Sequence, residues 1–261
     1  MGKETGVNNG TQLRGRDKPV PYINKIGGWS LEYDRGGTLI RLSLRGGPSL
    51  LHWSDYELDL GDGRIFHPRG WDECFPTIDA HGKSGVMGRL IGHEPVLRLT
   101  SRRVSQVWTC PDLTARRTFS SPAEDTLLIR FEAKNTGTLP LEFLWASHAL
   151  FSVSGLLRVA LPHNRVLEDF SLDHTCDKFF VSSSVPVILA REESVVTLST
   201  DQPFWGIWLN RGGWPANSPA GFCCLGIEAT NSDAEVPQGA VLKAGEFFRG
   251  HAKLKVESKR S

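Results

Sequence analysis

The 261-residue sequence lacks an apolar N-terminal segment: Met1 to Pro21 is polar and rich in Gly and Asn. That stretch has neither the hydrophobic core of a secretory leader nor the length of apolar chain that anchors in a bilayer. The expectation is a soluble, cytoplasmic protein with no membrane partner. An excess of charge of either sign is also missing, with 30 Lys and Arg against 29 Asp and Glu and a formal charge of +1. Without a basic stripe to hold a phosphate backbone, nucleic acid is not an expected partner. The five cysteines (Cys74, Cys110, Cys176, Cys223, Cys224) are odd in number, scattered and free of any C-x-x-C pair. That pattern suggests neither a disulfide framework nor a zinc site, and fits reduced thiols. Helical periodicity is scarce too; only Arg165 to Asp177 reads as room for one short helix.

What the sequence does contain is alternation. Ile40, Leu42 and Leu44 alternate with Arg41, Ser43 and Arg45, and Leu127, Ile129, Phe131 and Ala133 with Leu128, Arg130, Glu132 and Lys134. Ala252, Leu254 and Val256 alternate with His251, Lys253, Lys255 and Glu257, and Leu139, Leu141, Phe143 and Trp145 form a fourth run. Period two is the signature of strands with one wet face. Asn135-Thr136-Gly137 reads as a hairpin turn joining two adjacent antiparallel strands, because Asn and Gly tolerate positive φ. Strands punctuated by Gly, Pro and Asn along the whole length predict an all-β protein, a large antiparallel sandwich or barrel. With no repeat or composition break after residue 22, the expected organisation is a disordered tail over 1–22 and one domain over 23–261.

Four segments carry residues that a purely structural sandwich does not call for. In Pro68 to Thr77, Arg69, Trp71, Asp72 and Glu73 are packed between chain breakers. An exposed loop of this kind holds sugars, the aromatic ring stacking and the charged groups taking hydroxyls, or is a tight surface loop with ordinary ion pairs. His148 sits alone in the apolar run Leu144 to Phe151, as a hydrogen-bonded core residue or a catalyst. Three tryptophans fall between Trp205 and Trp214; some fill the core, while Trp214, after two glycines and before Pro215, is suited to a cleft rim. Glu228 interrupts the apolar strand Cys223 to Asn231. A buried carboxylate needs a partner or a task, so a structural ion pair with an Arg and a catalytic base both stay open.

Taken in order, Gly70 to Pro76, Trp145 to Phe151, Gly206 to Pro215 and Gly226 to Asn231, followed by Gly245-Glu246, resemble the aldose 1-epimerase or galactose mutarotase-like superfamily from about Ile26 onward. The resemblance implies a galactose mutarotase-like supersandwich with a monosaccharide or sugar phosphate held in an open cleft. It implies His148 as general acid at the ring oxygen and Glu228 as general base at the anomeric hydroxyl. Arg69, Trp71, Asp72, Glu73, His81, Trp208 and Trp214 are then the substrate-binding set, and no metal or organic cofactor is needed. The family's second His, in a His-Gly dipeptide, falls here on Met87-Gly88; His81-Gly82 or His93 could fill the space. Open alternatives are a non-catalytic carbohydrate-binding module, a hexose-6-phosphate mutarotase with Arg69 and Arg89 on the phosphate, and a structural sandwich. Monomer and homodimer are equally compatible with the sequence.

Overall fold

The computed structural model describes residues 21–215 and 222–259, so most of the expected tail lies outside the described residues. Alternation dictates the architecture. Leu127, Ile129, Phe131 and Ala133 are buried while Arg130 between them is exposed, and the C-terminal run behaves the same way. Such strands must cover their apolar faces, and two antiparallel sheets do so by packing face to face.

The first sheet has eight strands in the spatial order β1 (Tyr22–Ile26), β2 (Trp29–Tyr33), β3 (Leu39–Leu44), β6 (Trp71–Cys74), β12 (Ala146–Ser152), β19 (Cys223–Thr230), β18 (Phe204–Arg211) and β15 (Cys176–Ser182). The second has nine: β14 (Val166–Leu167), β13 (Leu156–Ala160), β16 (Val187–Arg191), β17 (Ser194–Thr200), β21 (Phe247–Ser258), β10 (Thr126–Asn135), β9 (Leu113–Ala123), β8 (Arg103–Cys110) and β7 (Val96–Thr100). Two small ribbons complete it, β4 (Leu58–Asp59) with β5 (Ile65–Phe66), and β11 (Leu141–Glu142) with β20 (Val241–Leu242).

Two local expectations are corrected. Asn135 to Gly137 does not close a hairpin: β10 pairs with β9 and β21, and the chain after the turn crosses to the other sheet. Asn135 caps this crossing, its side-chain oxygen accepting from the Gly137 amide at 3.0 Å while its Nδ2 donates to the carbonyls of Leu139 and Leu242. A side chain that satisfies backbone groups from two separate segments favours a crossover over a two-residue hairpin. Nor is there a helix over Arg165 to Asp177. The segment opens with β14 and continues through turns held by Asp169 and Asp173 side chains, and among the described residues the helical part is one 3-10 turn, Pro162–Asn164.

Aromatic packing joins the sheets where Phe131 of β10 stacks on Trp145, centroids 5.5 Å apart and planes 11° from parallel. Gly250 of β21 makes room for that indole, since a Cβ there would lie 2.5 Å from Trp145 Cζ3. Polar groups also cross the interior. The fully buried Arg117 of β9 donates to the Trp71 carbonyl at 2.9 Å and to Gln106 at 2.7 Å, and its Nη1 lies 3.5 Å from Glu73 Oε1. Glu73 further accepts from Trp145 Nε1 at 2.7 Å and Ser147 Oγ at 3.1 Å.

Candidate functional site

The four segments singled out by their composition lie side by side as β6, β12, β19 and β18 of the eight-stranded sheet. Their register puts Asp72 opposite His148, His148 opposite Glu228, and Glu228 opposite Gly206. Residues on one rung share a face, so His148 and Glu228 point together to the side turned away from the other sheet, where they are buried at 7% and 0% exposure. His148 Nε2 lies 3.5 Å from Glu228 Oε1.

Lys178 of β15 reaches the same carboxylate. Its Nζ is 2.6 Å from Glu228 Oε1 and 3.4 Å from Glu235 Oε1. Glu228 Oε2, by contrast, is buried and accepts no hydrogen bond from the protein. Gly206 lets the β18 backbone approach it closely, because a Cβ at that position would stand 3.1 Å from Oε2 and 3.2 Å from the Phe180 ring.

Charges on this rung are set by surroundings. Burial works to raise the Glu228 carboxyl, but the Lys178 ammonium, His148 and the Lys178 hydrogen bond outweigh it and hold the group below its ordinary 4.5. Burial works to lower Lys178, and the charge of Glu228 with its hydrogen bond and the charge of Glu235 hold it above 10.5 instead. For His148 burial wins over the attraction of Glu228, and the imidazole is held below 6.5. Burial pushes Asp72 up to about 7, against the pull of Arg117. One rung thus carries an ionised carboxylate and a carboxyl close to half-protonated at neutral pH, with a titratable imidazole between them.

Aromatic rings frame the pair. Phe66 meets His148 edge-on at 6.4 Å, and Trp208 lies 6.4 Å from it on the other side. Trp214 stands edge-on to Trp208 at 5.3 Å and to Phe222 at 6.3 Å, and His52 stacks on Phe222 at 5.1 Å. Asp72 and Arg69 line a hollow of about 250 Å³ next to Phe66. There Arg69 contacts Asp34 at 3.3 Å and lies 4.4 Å over the Trp53 ring.

Of the residues singled out from sequence, Arg69, Asp72, His148, Trp208, Trp214 and Glu228 come together on this face; three do not. Trp71 and Glu73 are corrected from cleft to interior. Their segment is a strand, not an exposed loop, so alternation turns Asp72 outward and its two neighbours into the sandwich, where Trp71 is 1% and Glu73 3% exposed. His81 is corrected as well: it pairs with Glu142 at 3.0 Å beside a separate hollow that also holds Lys83 and Arg89. The alternative His93 is exposed and its carbonyl accepts from Trp108. Met87, at the family's second-His position, is buried in an apolar cluster with Phe66, Cys74 and Ala146.

Sequence reasoning missed Lys178, Glu235, Phe66 and His52. No pattern around Lys178 marks it; only the pairing of β15 with β18, which sets Lys178 opposite Trp208, brings it over Glu228. Among the described residues no three His, Cys, Asp or Glu side chains are grouped so as to hold a metal ion, and no helix is long and apolar enough to cross a membrane.

No protein-family model and no curated protein matches the sequence. Solved structures do match in shape. A galactose 1-epimerase from Lactobacillus acidophilus superposes with a TM-score of 0.62 at 14% identity, covering 95% of this chain and 98% of its own. The fold is galactose mutarotase-like. A galactose mutarotase-like protein from Lactobacillus casei aligns over 91% of this chain and all of its own, at 13% identity and a TM-score of 0.61. An aldose 1-epimerase candidate from Escherichia coli K12 aligns over 92% of this chain and 99% of its own, at 14% identity and a TM-score of 0.67. At these identities the likeness establishes the mutarotase-like sandwich, and the chemistry rests on the site itself.

Proposed function

We propose that this mutarotase-like protein is an aldose 1-epimerase, interconverting the α and β anomers of a sugar by acid–base ring opening. The observation that carries the reading is the His148–Glu228 pair: two proton-transfer groups on neighbouring strands, on one face, within reach of a single pyranose ring. Glu228, held ionised, accepts the proton of the anomeric hydroxyl. Its electron pair forms the carbonyl as the bond from anomeric carbon to ring oxygen breaks, and His148 gives the ring oxygen its proton. Rotation of the aldehyde and the reverse steps on its other face yield the other anomer. Acid–base assistance of this kind contributes on the order of 10²- to 10⁴-fold.

The arginines favour an unphosphorylated aldose over a hexose 6-phosphate. Arg69 is engaged by Asp34 and the Ser54 carbonyl, and Arg89 donates to Ser84 beside the separate hollow near His81. Exchange-NMR rates over a panel of free and 6-phosphorylated aldoses test this; the free sugars should be accelerated more, and a preference for the phosphates would reverse the assignment.

The pH dependence follows from the same pair. Activity requires Glu228 ionised, hence a pH above a value already below 4.5, and His148 protonated, hence a pH below a value itself under 6.5. The pH profile of kcat/KM should therefore be a bell with its maximum on the acid side of 6.5. A plateau extending through pH 8 would exclude His148 as the acid.

A further inference from the structure

Glu228 has two carboxylate oxygens in different circumstances. Oε1 takes the Lys178 ammonium at 2.6 Å and faces His148 Nε2 at 3.5 Å; Oε2 is buried, has no protein partner and lies close against the Gly206 backbone, where a Cβ would stand 3.1 Å from it. A carboxylate with one oxygen tied to a cation is fixed in rotation, and its other oxygen is the one whose acceptor capacity is left unused. We infer that Lys178 is the positioning residue of the site, clamping Glu228 through Oε1 so that Oε2 is the proton acceptor. The inference rests on the reading of Glu228 as the base and assigns the atom that acts and the residue that readies it.

Geometry supports the clamp. Lys178 stands on β15, opposite Trp208 of β18, and its side chain crosses to the β19 carboxylate with only 19% of its surface exposed. Glu235, in the chain after β19, also lies 3.4 Å from the same ammonium, so the cation is shared by two carboxylates. The other titratable groups turned to this place are His148 of β12, with Asp72 and the buried Cys74 thiol of β6; of these only the imidazole can be cationic, and burial holds it mostly neutral at pH 7. Lys178 is therefore the permanent positive charge at Glu228. Without it, burial raises the carboxyl with only His148 left to oppose it, and the base is ionised over a narrower pH range.

The experiment compares wild type with Lys178→Gln and Lys178→Arg, the second keeping the charge where loss of the cation would leave a buried carboxylate uncompensated. One readout is the pH titration of the Glu228 side-chain carbon by NMR, assigned by its absence in Glu228→Gln. The other is the pH profile of anomer exchange. In Lys178→Gln the Glu228 titration should move from below to above 4.5, and the acid limb of kcat/KM should move with it, so that the loss relative to wild type grows as pH falls. Lys178→Arg should restore both toward wild type. A Glu228 titration and an acid limb that stay in place in Lys178→Gln would overturn the inference, since a lysine that only braces the fold would lower the melting temperature and leave both unmoved. Should wild type accelerate no aldose while the titration still moves, the epimerase reading fails and the clamp on Glu228 stands.

Discussion

Glu228→Gln is expected to lower kcat/KM for anomer exchange by roughly 10²-fold or more, about 2.7 kcal/mol of transition-state stabilisation, while sugar affinity changes little. The amide keeps the shape of the side chain and can still accept a hydrogen bond, but it cannot take the anomeric proton. Loss of the charge also frees Lys178, which retains Glu235 at 3.4 Å as a partner. The variant should therefore stay folded, and the loss should fall on kcat more than on KM. His148→Asn should act in the same direction, with its loss greatest on the acid side, where the imidazole is charged in wild type. Steady-state kinetics with a sugar titration of each variant separate these effects, and a drop confined to KM would place both residues in binding alone.

Trp71→Ala is expected to unfold rather than to disarm the protein. The indole is 1% exposed, donates to Ser147 Oγ at 2.8 Å and packs 6.1 Å from Phe151. Truncation removes that packing, leaves a cavity between the sheets and deprives the Ser147–Glu73–Arg117 network of a donor. Changes of this kind cost about 3–5 kcal/mol and should lower Tm by on the order of 10 °C. Sugar affinity per folded molecule should be unchanged. Thermal melts and sugar titrations on the same sample check this; a native melting temperature with weakened sugar binding would return Trp71 to the cleft. Arg117→Met should be as costly, because Glu73, already pushed up to about 7 by burial against the pull of Arg117, would lose its cation.

Much of the fold was legible because strand alternation is a local property. The runs at 127–133 and 252–256 face the interior as their period requires, and no partner need be known to read them. Pairing is not local, and that is where the reading of Asn135 to Gly137 went astray: the turn chemistry was present, but Asn135 also satisfies the Leu242 carbonyl, 107 positions away. At the site, His148 and Glu228 could be singled out because each is one polar residue in an apolar strand. Trp71 and Glu73 could be placed only once their segment was known to be a strand, since alternation then forbids them the face that Asp72 occupies. Lys178 left no mark at all. Its neighbours alternate weakly, and it is brought to Glu228 by the order of strands in the sheet, a feature no short segment encodes.

Proton transfer, and not sugar binding alone, is the activity we propose for the His148–Glu228 site. Measuring anomer exchange by NMR under saturating aldose, with the dissociation constant taken on the same preparation, tests it most directly. The expected result is exchange that rises in proportion to enzyme, saturates with sugar at the concentration set by binding, and is lost in Glu228→Gln although the variant still binds. Wild-type protein that binds the sugar yet leaves its anomers exchanging at the rate of the buffer would contradict it, and the site would then be that of a carbohydrate-binding module.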